Sequence, residues 1–213
     1  MIQSIPSMII DSSKCSTDLC SIGKIFNADK SPLNINGHRH PYTPVYSLLL
    51  SQYRQKNIRF AEIGVAGGAS VVMWNVFFQT GDFYFFDRDQ NFLNNAKQFV
   101  GSNSKLILMD VCDSNSIING LEQTGGNLDI LLDDSSHNPD DQHRIIHEGL
   151  KYVRSGGMII IEDINRDEPE ERYVKILDGI ADQFSFISFV ITEHENRYSP
   201  GWNNDKLLVL IKK

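Results

Sequence analysis

The sequence predicts an α/β fold: a mostly parallel sheet of seven strands, helices on both faces, and an antiparallel last strand. Three observations predict it. From residue 58 onward, short apolar runs alternate with amphipathic stretches. Those stretches are ~10–15 residues long, as right-handed crossovers between parallel strands require. The last two apolar runs, 184–191 and 207–211, have only a polar loop between them, which makes the final strand antiparallel.

Taken in order, residues 1–30 are polar and irregular apart from one helix over 19–26. Turn formers follow, with Pro32, Asn34, Asn36 and Gly37 close together, and then a helix over 45–55. The first strand is 58–63 with its helix at 67–78, and Trp74 on the apolar face of that helix belongs to the core. The second strand, 83–86, ends at Asp87 and leads to a helix over 91–100. The third, 105–109, ends at Asp110 ahead of a helix near 114–122. The fourth, 128–132, is backed by a helix from about 140 to 153. Ser155-Gly156-Gly157 forms the turn into the fifth strand, 158–161, and a helix follows over 168–183. Asp167, Glu168, Glu170 and Glu171 gather at the start of that helix, where negative charge suits the dipole. No internal repeat or low-complexity tract interrupts the pattern, so the arrangement is doubly wound and Rossmann-like.

A chain of 213 residues with 41% apolar content builds one ordinary domain, or one with a small appendage. No apolar run reaches the ~20 residues that span a bilayer, and no basic segment precedes an apolar one near the N-terminus. Neither a membrane nor a signal peptide is therefore expected. The net charge of -7, without a Lys/Arg cluster, weighs against nucleic acid as a partner. The three cysteines, Cys15, Cys20 and Cys112, have no paired spacing, which fits a reducing cytoplasm rather than disulfides or zinc. His143 and His147 stand four apart but lack the HExxH order of a zinc helix.

Chemistry concentrates where two strands end in carboxylates. The run Ile130-Leu131-Leu132 leads into Asp133-Asp134-Ser135-Ser136-His137, and Ile159-Ile160-Ile161 leads into Glu162-Asp163. In an open parallel sheet the ligand crevice lies at the carboxyl ends of the strands. Several acids gathered there repel one another unless a hard divalent cation sits among them. The rim thus points to an oxygen-ligated site of the Mg²⁺ type with a base beside it.

Between the first strand and its helix stands Glu62-Ile63-Gly64-Val65-Ala66-Gly67-Gly68-Ala69-Ser70. Small residues there let the backbone approach a ligand at the positive end of a helix. A dinucleotide loop reads G-x-G-x-x-G, whereas this chain has alanine at 66 and 69. The spacing is closer to the acidic-x-G-x-G-x-G loop of class I S-adenosylmethionine (SAM) methyltransferases, with Ala66 in the middle glycine slot. Asp87, 25 residues after Glu62, stands where an acid accepts hydrogen bonds from ribose hydroxyls, which NAD would suit equally. Asp110 lies near the adenine position in such enzymes, and reads equally well as a helix cap or loop acid.

The segments Leu132-Asp133-Asp134-Ser135-Ser136-His137, Ser155-Gly156-Gly157 and Ile161-Glu162-Asp163 resemble the Mg²⁺-dependent sugar O-methyltransferases of antibiotic biosynthesis, of the mycinamicin and rhamnosyl type. Those enzymes carry I-D-D-G-S-H followed by G-G-x-Y-x-x-E-D. Asp29-Lys30 with His40-Pro41-Tyr42-Thr43-Pro44-Val45-Tyr46 is similar to their D-K-x-H-x-Y-T-x-x-Y lead-in, so the likeness runs over about residues 23–165. It implies Asp134, Glu162 and Asp163 as ligands of Mg²⁺ or Mn²⁺, and His137 as the base for the acceptor hydroxyl. It further implies SAM bound among Tyr42, Glu62, Gly64, Ala66, Gly68, Ser70, Asp87, Asp110 and Asp133, although Asp133 also reads as a helix cap. Residues 1–55 are then an N-terminal extension covering the cofactor site, and 56–213 the methyltransferase domain.

Three departures stand out. Ser135 replaces the usual glycine, the extra N-terminal domain of the larger relatives has no counterpart, and the loop 193–205 matches nothing. The expected function is transfer of a methyl group to a hydroxyl of a small acceptor, most simply a sugar or glycoconjugate precursor, in the cytoplasm. Competing readings keep a catechol-like or phosphorylated acceptor, with Arg39, Arg166 and Arg197 as candidates for phosphate. Others make the chain a non-catalytic nucleotide-binding module or, given Ala66 and Ala69, a nicotinamide oxidoreductase. A homo-oligomer is open, with the N-terminal segment and last hairpin as its candidate contacts.

Overall fold

The computed structural model describes residues 2–213, Met1 lying outside it. Eight strands form one sheet: β1 (Ser7–Asp11), β2 (Asn57–Ile63), β3 (Thr80–Asp87), β4 (Ser104–Leu108), β5 (Leu128–Asp133), β6 (Val153–Ile164), β7 (Phe184–Glu193) and β8 (Lys206–Lys212). Their order is β1-β7-β8-β6-β5-β2-β3-β4. β8 runs antiparallel between β6 and β7, and the other pairings are parallel. Seven helices accompany the sheet: α1 (Asp18–Ile25), α2 (Tyr42–Leu50), α3 (Ala69–Phe77), α4 (Gln90–Ala96), α5 (Ser114–Glu122), α6 (Pro139–Gly149) and α7 (Glu170–Ile176). Among the described residues no helix is long and apolar enough to cross a membrane.

The doubly wound, mostly parallel sheet is as predicted, with one strand more. The eighth, β1, hides in the stretch read as irregular, because it is an edge strand of five residues, mostly exposed, with no alternation to betray it. The turn expected at Ser155-Gly156-Gly157 is part of β6 instead, at a register shift against β5. The helix expected over 168–183 stops at Ile176, and Gly179 then takes a left-handed φ of 80°.

Strand alternation divides the core in two. Ala61, Ile63, Leu131, Ile159 and Ile161 face α5, α6 and α7. Phe60, Leu132 and Ile160 face α1, α2 and α3 on the other side, where Trp74, Tyr42 and Tyr46 are fully buried. The same parity sorts the acids at the strand ends: Glu62, Asp134 and Glu162 follow Phe60, Leu132 and Ile160 onto the side of α2 and α3.

Trp74 is the hinge of that second core, packed on Phe60 and Phe78 at 5.0 and 5.7 Å between ring centroids, with Nε1 donating to Glu62 at 3.1 Å. Urea unfolding is expected to show a loss of about 3–5 kcal/mol for Trp74→Ala. Trp74→Phe, which keeps one aromatic ring but removes the donor to a buried acid, should cost less, with about 1–3 kcal/mol from the lost hydrogen bond.

Candidate active site

The loop between β2 and α3 is shaped by backbone that only small residues tolerate. Gly64 has φ 91°, and a Cβ on it would overlap the carbonyl of Asp134 on the neighbouring strand end. Ala66 is left-handed at φ 38°. The Asp87 carboxylate holds this loop: Oδ2 accepts from the backbone N–H groups of Val65 and Ala66, both at 3.1 Å, and Oδ1 from Asp89 at 2.9 Å. Above it opens a cavity of about 580 Å³, within the range of small-molecule sites. Of the residues the sequence singles out, Gly64, Ala66, Ser70, Asp87, Asp134, His137 and Asp163 line it.

Six other expected residues do not line it. Glu62 is fully buried beneath the loop, accepting from Ser70 Oγ at 2.9 Å and from Trp74, and burial pushes its pKa up to about 7 despite Lys30 nearby. Gly68 faces Phe99 at the start of α3. Asp110 is exposed and closes a turn onto the Cys112 N–H, and its neighbours Met109 and Val111 line the cavity in its place. Asp133 points to the opposite core and holds Ser135, whose Oγ donates to it at 2.6 Å. Burial raises the Asp133 carboxyl to about 7 against that bond, and its Oδ2 has no partner. Tyr42 lies behind Asp163 rather than in the cavity wall, and Glu162 is turned into the protein.

The rim is organised by a residue the sequence reading quoted but did not assign. Lys30, 1% exposed, donates to Asp134 Oδ2 and to Glu162 Oε2, the latter at 2.6 Å, and lies 3.6 Å from Glu62. Burial disfavours its charge, yet Asp134, Glu162 and Glu62 outweigh that and hold it well above the usual lysine range. Burial likewise opposes the charge of Asp134, and Lys30 and His137 overcome it and lower its pKa. The other oxygen of Glu162 accepts from the Tyr46 hydroxyl. The signals for Lys30 and Tyr46 were present in the Asp29-Lys30 and Tyr46 positions of the lead-in motif. The loop around Lys30 also brings Asn27, Asp29 and His38 to the cavity.

His137 and Asp163 meet through two strained residues. Both are left-handed, at φ 57° and 56°, where non-glycine residues are costly. His137 Nε2 stands 3.3 Å from Asp134 Oδ1 and 3.2 Å from Asp163 Oδ2. Burial lowers its pKa, but the bond to Asp134 and the charges of Asp163, Asp134 and Asp133 prevail and bring it to about 9. The Tyr42 hydroxyl donates to Asp163 Oδ1 at 2.6 Å and reaches the Asn204 carbonyl at 2.9 Å. The buried His40 Nδ1, 3.8 Å from Asp163 Oδ1, has no hydrogen-bond partner.

One ligand atom each from Asp134, His137 and Asp163 lies within 4.8 Å of the others, so two carboxylates and an imidazole converge at the cavity wall. That donor set fits a hard divalent cation of the Mg²⁺ or Mn²⁺ kind. Glu162 stands outside the group, its oxygens accepting from Lys30 and Tyr46.

Residues 61–164 match a family model described as a methyltransferase domain. The chain is 31% identical over 137 residues to demethylmacrocin O-methyltransferase of Streptomyces fradiae, covering 60% of this chain and 33% of that protein. It is 29% identical over 136 residues to mycinamicin VI 2''-O-methyltransferase of Micromonospora griseorubida, covering 60% and 32%. The chain spans about a third of the length of these curated relatives. Among solved structures it is similar to MycE methyltransferase from the mycinamycin pathway in complex with Mg, SAH and mycinamycin VI. That match has a TM-score of 0.69 at 22% identity, over 93% of this chain and 55% of that one. The O-methyltransferase TomG of Streptomyces achromogenes, in complex with SAM, matches with a TM-score of 0.61 at 16% identity, over 95% and 94%. At such identities the likeness establishes the fold.

Removing one partner of a buried ion pair leaves a charge without compensation, at a cost of several kcal/mol. Lys30→Met is accordingly expected to lower stability by about 3–5 kcal/mol in urea unfolding with EDTA present. A change within the range of a surface substitution would mean that the Lys30 pairs contribute nothing.

Proposed function

We propose, from the premise that residues 61–164 form a methyltransferase domain, that this chain transfers a methyl group from SAM to a hydroxyl of a small acceptor, with the help of a divalent cation. One observation carries the reading: His137 stands between Asp134 and Asp163 on the wall of the same cavity that the Gly64–Ala66 loop lines. A glycoside or sugar precursor is the acceptor best supported, since the chain is similar to demethylmacrocin and mycinamicin VI O-methyltransferases and carries the Asp134–His137 and Glu162–Asp163 segments that resemble sugar O-methyltransferases. Arg166 and Arg197 are engaged by Asp205, and Arg39 packs on Tyr198, which disfavours a phosphorylated acceptor. The N-terminal segment 1–55 covers the cofactor end of the cavity in this reading, and the enzyme works in the cytoplasm.

SAM supplies a methyl group on a sulfonium that is open to displacement. A cation held at the rim by Asp134 and Asp163, with Glu162 behind them, would supply positive charge that lowers the pKa of the acceptor hydroxyl. The remaining work falls to side chains. Asp134 and Asp163 orient the imidazole, and with their charges offset by the cation the His137 ring, no longer held protonated, takes the hydroxyl proton as the acceptor oxygen bonds to the methyl carbon and the carbon–sulfur bond breaks. The backbone of the Gly64–Ala66 loop, tied down by Asp87, holds the donor so that the two reactants meet in line.

Calorimetric titration is expected to show SAM binding and no NAD⁺ binding. Methyl transfer from labelled SAM to a panel of hydroxylated glycosides should be abolished by EDTA and restored by Mg²⁺. His137→Ala should slow transfer by about 10²–10⁴-fold while leaving SAM affinity in place. Absence of SAM binding at millimolar concentration would overturn the reading. Full transfer by His137→Ala would remove the base from it.

A further inference from the structure

The cavity runs along the carboxyl ends of neighbouring strands, and strand order gives each half its task. Met109 and Val111 follow β4, Asp87 ends β3, the Gly64–Ala66 loop follows β2, Asp134 and His137 follow β5, and Asp163 lies in β6. With SAM held over β2, β3 and β4, the acceptor enters over β5 and β6. Next to β6 in the sheet come β8 and then β7. Both β6 and β7 are antiparallel to β8, so β7 ends on the same edge as β6, and the loop 194–205 starts on the acceptor side.

That loop is tied to residues 34–39 of the N-terminal segment. Arg39 and Tyr198 exchange backbone hydrogen bonds at 2.7 and 3.2 Å, and Asn34 Nδ2 donates to the His38 carbonyl at 2.9 Å. Held between these ties, the half-buried His38 lines the cavity with Nδ1 3.0 Å from Ser199 Oγ. Its ring stacks on the buried His40 at 5.8 Å between centroids, and His40 stacks on Tyr42 at 5.2 Å. Tyr42 donates to Asp163, so three near-parallel rings lead from the rim to His38. Hydrogen-bond accounting then gives His38 a direction. The Ser199 hydroxyl donates its one proton to Asn204 Oδ1 at 3.3 Å, and its oxygen therefore accepts from His38 Nδ1–H. In the neutral ring the lone pair is left on Nε2, which has no partner among the described residues.

We propose that His38 selects a polyhydroxylated acceptor, its Nε2 accepting a hydrogen bond from a second hydroxyl of a sugar, distinct from the one that is methylated. This rests on the methyl-transfer reading above and deepens it by naming what the acceptor must carry. The reacting oxygen belongs to His137 beside Asp163, whereas His38 stands one stacked ring beyond His40. A catechol has no hydroxyl beyond its reacting pair and would leave Nε2 empty. A sugar carries hydroxyls on several ring carbons. Because Asn34, Ser199 and the Arg39–Tyr198 pair already fix the imidazole, little ordering entropy is lost when that hydroxyl arrives.

The test uses the full chain with labelled SAM and Mg²⁺, and takes as probes the methyl glycosides of hexoses and 6-deoxyhexoses with their monodeoxy analogues. For a glycoside that is methylated, removal of one hydroxyl other than the reacting one should raise KM about 10-fold, the worth of one neutral hydrogen bond. His38→Ala should raise KM for the parent glycoside about 10-fold, leave kcat and SAM affinity in place, and no longer distinguish that deoxy analogue from its parent. His38→Phe keeps the stack on His40 and removes both nitrogens, and gives the same comparison should His38→Ala fold poorly. An unaltered KM, or a variant that still discriminates against the deoxy analogue, overturns the assignment. So does a loss of SAM affinity, which would give His38 to the donor instead. If SAM binds and no glycoside is methylated, the sugar acceptor and this inference fall together. If SAM itself does not bind, it is the methyl-transfer reading that fails.

Discussion

The buried ammonium of Lys30 is the constraint on which the site depends. Parallel strand ends and side-chain alternation bring Glu62, Asp134 and Glu162 to one face of the sheet, where Glu62 and Glu162 are buried and Asp134 is half-buried at the cavity wall. Carboxylates placed so would repel one another and lose their hydration. A single lysine, with the Tyr46 hydroxyl and the Ser70 and Trp74 donors, accommodates all three. The N-terminal segment is therefore part of the site. Its residues 27–43 carry the cation that lets the sheet end in acids, and its α1 and α2 complete the core around Trp74.

Much of this was legible in the sequence, for identifiable reasons. The alternation of apolar runs and helical stretches fixed the sheet, and the Asp133–His137 and Glu162–Asp163 segments marked the strand ends that meet. Their face could also be read, because Glu62, Asp134 and Glu162 each stand two residues beyond Phe60, Leu132 and Ile160. Three things escaped. The strand β1 pairs only at the sheet edge with exposed residues. The partner of the acids lies more than 100 residues away from Asp134 and Glu162 in a loop without periodicity. The left-handed backbone at His137 and Asp163 has no glycine to announce it.

Strain and function coincide in this fold. Five non-glycine residues among those described have positive φ, and four of them, Asn27, Ala66, His137 and Asp163, line the cavity. Each such residue costs of order 1–3 kcal/mol and persists only where its surroundings dictate it. At Asp163 the reason is visible. Alternation along β6 would send it with Ile161 toward the α6 and α7 side, and the left-handed turn brings its carboxylate round to His137 and Tyr42 instead. A site built from strand ends needs that departure, since regular strands cannot aim neighbouring residues into one cavity.

The same tyrosine ties the chemistry to the least recognisable segment of the chain. Between β7 and β8, the residues before Lys206 are anchored by Asp205, which is 1% exposed and accepts from both Arg166 and Arg197. Arg166 N–H also donates to the Asn203 carbonyl at 2.7 Å, and Tyr198 pairs with Arg39 across the N-terminal loop. Tyr42, donating to Asp163 and touching the Asn204 carbonyl, lies between this anchored loop and the rim. The acids answer to the sheet and to Lys30, whereas the loop answers to Asp205, Arg39 and Tyr42.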